Sequence, residues 1–102
     1  MPTLHVAFQE GFQDDEVKLF LNDVEVYKRT HLKTRMQIGL ADSVDLQVPS
    51  RSAELRIVVP GRNVDLKKTI TFEDHAVLFV AISMKADGAL ALRVSPEAFR
   101  YA

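Results

Sequence analysis

Residues 17–26 read VKLFLNDVEV, an apolar–polar alternation interrupted once by Asn22-Asp23. Period two places Val17, Leu19 and Leu21 on one face of a strand, and Val24 and Val26 on one face of the next. Asn and Asp tolerate positive φ, so a two-residue primed turn closes the hairpin. In that register Leu21 lies opposite Val24 and Leu19 opposite Val26, which pairs apolar side chains on a single buried face. The unit of this chain is therefore a short, half-buried strand.

The same pattern extends in both directions. Upstream, Thr3 to Phe8 forms a strand with Leu4, Val6 and Phe8 on one face, and residues 9–16 (QEGFQDDE) are a polar, acidic connection. Downstream, residues 29–35 (RTHLKTR) read as a basic loop or irregular edge. Strands are predicted at Met36, Ile38 and Leu40, at Val44, Leu46 and Val48, and at Leu55, Ile57 and Val59, with a break at residues 49–52 (PSRS). Pro60-Gly61 is a turn signal: Pro pre-sets φ and Gly supplies a positive one. A four-residue loop from Pro60 to Asn63 puts Val59 opposite Val64 and Ile57 opposite Leu66. The strand from Val64 continues through Ile70 and Phe72. Lys68 interrupts its apolar face, so a bulge near Lys67-Lys68 or an exit at the sandwich edge is expected.

Residues 76–84 (AVLFVAISM) are apolar on both faces. Such a strand is central and covered on both sides, so a tail, a loop or a second subunit is expected over it. The last hairpin separates two loop lengths. A two-residue Asp87-Gly88 loop opposes Lys85 to Leu90. A three-residue Ala86-Asp87-Gly88 loop opposes Met84 to Leu90, Ile82 to Leu92 and Val80 to Val94, which packs better. Gly88 is then the left-handed residue of a bulged turn. Replacing Gly88 by Val should lower the melting temperature. The tail opens like one capped helical turn, Ser95 before Pro96, and Phe99 and Tyr101 anchor it over an open sheet end.

At 102 residues the chain is one domain, 1–102, and can bury a core without staples. With 13 basic and 14 acidic side chains there is no global attraction to nucleic acid or to an anionic membrane. The absence of cysteine excludes disulfides and thiolate chemistry. No apolar run approaches the roughly 18 residues of a spanning helix. Residues 1–9 carry neither a basic n-region nor a long apolar h-region, as expected of a cytoplasmic protein or a domain excised from a longer chain.

Candidate chemistry is sparse. Lys28, Arg29, His31, Lys33 and Arg35 make a basic cluster that could bind phosphate, carboxylate or an acidic partner. The competing reading is internal compensation: in the hairpin register Glu16 falls opposite Arg29, and Asp14 opposite His31. Among aromatics only Tyr27 interleaves with this charge, so nucleic-acid binding is not expected. His5, His31 and His75 have no metal-ligand spacing. Asp42, Asp45 and the run 14–16 match no calcium loop, so no metal and no cofactor is expected. Ser43, Ser50, Ser52, Ser83 and Ser95 lie in no G-x-S-x-G elbow. The four glycines, at 11, 39, 61 and 88, form no phosphate-binding loop.

VKLFLNDVEVYKRT, then Gly39-Leu40-Ala41-Asp42, then ELRIVVPG over residues 15–62, resembles the small bacterial immunoglobulin-like and transthyretin-like domains. That resemblance implies an all-β, antiparallel sandwich of about eight or nine strands. An enzymatic branch of the transthyretin-like family hydrolyses hydroxyisourate and relies on a C-terminal Tyr-Arg-Gly-Ser with particular His and Arg positions. This chain reads Phe99-Arg100-Tyr101-Ala102 there, and His5 lacks the family's surrounding residues, so no catalytic residue carries over. Three functions follow as expectations. The first is a non-catalytic module that self-associates or binds a protein partner, with Phe79, Phe99 and Tyr101 at the interface. The second is a binder of a small anion or acidic ligand through Lys28, Arg29, His31, Lys33 and Arg35. The third is a hydrolase with a site at a sandwich end or dimer interface, using the histidines as bases.

Overall fold

A computed structural model describes residues 1–35, 37 and 39–97. Eight strands form two four-stranded sheets: β1 (Thr3–Phe8), β2 (Asp15–Leu21), β3 (Val24–Leu32), β4 (Asp42–Gln47), β5 (Ser52–Val59), β6 (Val64–Thr71), β7 (Val77–Met84) and β8 (Leu90–Ser95). The first sheet has the order β4-β1-β7-β8 and the second β3-β2-β5-β6. Alternate residues of each strand meet between the sheets, where Phe8, Phe12, Phe72, Leu4, Leu19 and Ile57 are fully buried. The architecture is thus the expected all-β sandwich. One pairing differs from an all-antiparallel arrangement: β1 and β7 run parallel, Leu4 beside Leu78 and Val6 beside Val80. β7 arrives from β6 in the other sheet, so no hairpin constrains its direction against β1.

The three predicted loops form. Asn22 and Asp23 both have positive φ, 50° and 68°, and Leu21 is the register partner of Val24, although Val24 is 63% exposed and does not share the buried face expected of it. Val59 lies opposite Val64 and Ile57 opposite Leu66 as expected, but the turn is of another kind: Pro60–Arg62 make one 3-10 turn and Asn63, at φ 57°, takes the left-handed conformation expected of Gly61, whose φ is not positive. The last hairpin has the three-residue loop, with Met84 opposite Leu90 and Gly88 at φ 88°.

Several expectations are corrected. β2 and β3 slip by one residue between Leu19 and Phe20, so Leu19 faces Tyr27 and not Val26. The bulge turns Val26 outward and brings the larger Tyr27 ring inward, stacked on Phe8 at 5.3 Å. The slip also undoes the expected Glu16–Arg29 opposition: Arg29 lies opposite Val17. Of the two readings of the basic stretch, the irregular edge holds for residues 29–32, which belong to the edge strand β3. There is no bulge at Lys67-Lys68, because the β5–β6 ladder runs unbroken from Ser52–Thr71 to Val59–Val64. β6 is an edge strand and Lys68 is exposed there, the second of the two explanations offered by the pattern. Of the strand expected at Met36, Ile38 and Leu40, the first two lie outside the described residues, and Leu40 makes a single bridge to Arg35.

β7 occupies an interior position, and Leu78, Val80, Ile82 and Met84 enter the core. On its other face Ala81 and the adjacent Ala7 of β1 are almost fully buried, so that part of the face is covered. Residues 98–102 of the tail expected over it lie outside the described residues. Phe79 is half-buried, its ring 5.4 Å from that of His5, and Val77 is 37% exposed.

Candidate functional site

The basic segment does not act as one cluster. Strand alternation turns Leu32 and Thr34 inward and leaves Lys28, Arg29, His31, Lys33 and Arg35 exposed. Two of the five are engaged internally. Arg29 donates to the Asp42 carboxylate at 2.9 Å, and His31 Nδ1 lies 2.6 Å from Asp14. The Asp14–His31 pairing expected from the hairpin therefore forms, while Arg29 finds Asp42 where Glu16 was expected. Asp42 also accepts the Tyr27 hydroxyl at 2.6 Å. Burial, reinforced by this carboxylate, holds the Tyr27 phenol well above its ordinary ionisation range. Lys28, Lys33 and Arg35 have no carboxylate at ion-pair distance among the described residues.

Lys33 lies on the wall of an open cleft of about 670 Å³ at one end of the sandwich. Residues 10–14 form one side, and Lys33, Thr34 and Gly39 the other. A separate, more open depression is lined by Lys33, Thr34, Arg35 and Gln37. The walls are pinned to the scaffold. Met84 N–H donates to the Glu10 carbonyl, and a side chain at Gly11 would stand 1.9 Å from the Met84 carbonyl oxygen. Thr34 is buried; its hydroxyl donates to the Gln9 carbonyl and accepts from Phe12 N–H. Asp15, 7% exposed, takes both the Gln13 N–H and a two-pronged contact from Arg62. Sequence reading treated Asp15 as one of three solvated acids. Its place at an inward position of the Val17–Leu19–Leu21 alternation was the available signal. Thr34, one inward position beyond Leu32, is the same kind of signal.

Two imidazoles carry a carboxylate on Nδ1. Besides His31–Asp14, His5 Nδ1 lies 2.5 Å from Asp45 on the outer face of the first sheet. The pair is cross-strand, since His5 and Asp45 are register partners. Among the described residues, neither ring is hydrogen-bonded to a serine or threonine hydroxyl. His75 stands apart, its carbonyl accepting from Arg51. The described residues contain no group of three or more potential metal ligands. No described helix is long and apolar enough to cross a membrane.

The four edge strands differ sharply. Exposed edges are protected by charge, bulges or proline because their unpaired backbone invites another strand. β3 carries Glu25, Lys28 and Arg29, two register shifts and the left-handed His31. β4 carries Asp42 and Asp45, and β6 carries Asp65, Lys67 and Lys68. β8 (LALRVS) has one charge, Arg93, and no bulge or proline. Leu90 and Leu92 are only half-buried and Val94 is 38% exposed, although all three point toward the core side. Lys85 N–H donates to the Ala89 carbonyl at 2.8 Å. That parity turns the backbone groups of residues 89, 91, 93 and 95 to β7, and those of residues 90, 92 and 94 to the free edge.

Of the residues expected at an interface, Phe79 sits on the outer face against His5; Phe99 and Tyr101 lie outside the described residues. No protein-family model matches the chain, and comparison with curated proteins and with solved structures yields no match.

Proposed function

We propose that this domain is a non-catalytic interaction module that self-associates by pairing β8 with β8 of a second copy. The observation that carries this reading is the contrast among edges: three are guarded by charge or bulge, and β8 is left apolar and regular. The two four-stranded sheets support the finer reading as an immunoglobulin-like, transthyretin-like sandwich.

Symmetry and hydrogen-bond parity select the register. Only residues 90, 92 and 94 offer outward backbone groups, so an antiparallel two-fold pair must match these with one another. Centring on Leu92 opposes Leu90 to the partner's Val94 and uses all three, giving about six hydrogen bonds. Centring on Arg93 would place two like charges face to face, which is destabilising. Centring on Ala91 leaves residue 94 unused. In the Leu92-centred register Ala91 lies opposite the partner's Arg93, so the interface contains no like-charge pair, and the half-exposed Leu90, Leu92 and Val94 bury one another's flanks.

The chain has no cysteine, so a single Leu92→Cys change reports the two-fold axis. Hydrogen-bonded antiparallel partners stand about 5.5 Å apart at Cα, inside the disulfide range. Oxidation should cross-link Leu92→Cys chains and leave Leu90→Cys chains, which face a different residue, uncoupled. In sedimentation experiments Ala91→Arg should weaken the dimer about tenfold, through two new like-charge oppositions. Ala91→Glu should tighten it. A chain that sediments as a monomer at millimolar concentration, or equal effects of Arg and Glu at position 91, would overturn the reading.

A further inference from the structure

We infer that the β8-paired dimer binds one phosphate-type oxyanion on its two-fold axis, held between Arg93 of one copy and the partner's Arg93 on the outer face of the joined sheet. The site rests on the β8 pairing proposed above, because neither copy completes it alone. Each chain supplies half. Val80 and Ile82 enter the core, so strand parity turns Ala81 and Ser83 of β7 outward, with their register partners Arg93 and Ala91 of β8. Together with Gln9 and Leu92 they line an open depression of about 330 Å³ beside the free edge. Its floor is shallow because alanine and serine are short. Among the described residues that line it, Arg93 alone is charged. Neither β7 nor β8 contains an acidic residue. Asp87 caps Ala89 N–H in the turn, and Asp45 pairs with His5 on β4, two strands away from β7.

The Leu92-centred register brings the two depressions together. Ala91 of each copy lies opposite the partner's Arg93, so the two Arg93 side chains avoid direct opposition and become diagonal neighbours across the axis. Diagonal neighbours on paired strands stand roughly 7–8 Å apart, within reach of long side chains. Two guanidinium groups so placed repel one another. An oxyanion between them replaces that repulsion with two attractions, and each planar fork matches a pair of phosphate oxygens. Two forks and four oxygens agree with a two-fold axis, which sets the stoichiometry at one anion per two chains. A lone carboxylate has two oxygens and satisfies one fork only.

Sedimentation in inorganic phosphate, compared with chloride and acetate at equal ionic strength, tests the site. A ligand that binds only the dimer must tighten it. Millimolar phosphate should lower the dimer dissociation constant about tenfold, acetate should match chloride, and titration calorimetry should saturate at one phosphate per two chains. Arg93→Gln should give the same dissociation constant in phosphate and chloride. Arg93→Lys, which keeps the charge and loses the fork, should retain only part of the response. Lys67→Gln, on the other sheet, should respond as the parent does. A dimer equally tight in phosphate and chloride, saturation at one phosphate per chain, or a response that survives Arg93→Gln would overturn the site and leave the β8 pairing standing. A chain that is monomeric in every salt would overturn both.

Discussion

A Gly11→Ala chain is expected to lose about 2–5 kcal/mol of stability, the sum of two separate costs. Gly11 has φ +90°, a conformation L residues rarely adopt. Placing a Cβ there costs about 1–2 kcal/mol from backbone sterics. The larger cost is contact. The added Cβ would stand 1.9 Å from the Met84 carbonyl oxygen and 2.9 Å from the Met84 Cβ. Backbone cannot rotate away as a flexible side chain can, so either the 9–12 segment or the end of β7 must move. Overpacking of this kind costs about 1–3 kcal/mol. Moving either wall also strains the Met84–Glu10 hydrogen bond of 2.8 Å.

Gly88 supplies an internal control. Its φ is nearly the same, +88°, but nothing lies within 4 Å of an added Cβ. Gly88→Ala should therefore show the backbone cost alone. At about 4–8 °C per kcal/mol for a domain of this size, Gly11→Ala should melt at least about 8 °C lower, and Gly88→Ala markedly less. Equal shifts would mean that contact with Met84 contributes nothing.

Phe8→Ala is expected to cost about 3–5 kcal/mol, the range for removing a large buried aromatic and leaving a cavity. Phe8 is fully buried at the last position of β1. Its ring meets Phe12 edge-on at 5.7 Å and stacks on Tyr27 at 5.3 Å. It therefore joins the first sheet to β3 of the second, and supports the loop that forms one wall of the cleft. The neighbours cannot collapse into the space easily, because the Tyr27 hydroxyl is tied to Asp42 and Phe12 N–H to Thr34. Urea unfolding should show a lower midpoint with little change in slope. Phe8→Leu, which retains most of the volume, should recover more than half of the loss. A midpoint shift under about 1 kcal/mol for Phe8→Ala would show that the two sheets are joined elsewhere.

The hairpins were legible because a turn and its flanking alternation are local. Asn22-Asp23, Pro60–Asn63 and Ala86–Gly88 each place a turn within a few residues, and in the second and third hairpins the apolar pairs also gave the register. The Leu19 bulge was not legible, because its cause is distant. Tyr27 is drawn inward by the Phe8 face and by Asp42, residues of β1 and β4 in the opposite sheet. The same slip decided which carboxylate neutralises Arg29, and so divided the basic segment into spent and available charges. The 76–84 anomaly is resolved in part: Leu78, Val80, Ile82 and Met84 enter the core, and on the other face Ala81 is buried beside Ala7.

From residue types and spacing alone the chain is a single all-β sandwich built from half-buried strands, with three turns placed to the residue. Period-two burial and positive-φ residues act over a few positions, so they survive in the linear order. Strand order, the parallel β1–β7 pairing, the cleft and the open β8 edge belong to the tertiary structure. Each depends on which segments distant in sequence come to lie side by side, and the alternation that makes a strand is the same whatever its neighbour. The stretch 17–26 thus announced a hairpin, but only Phe8 and Asp42 decided which of its residues face the core.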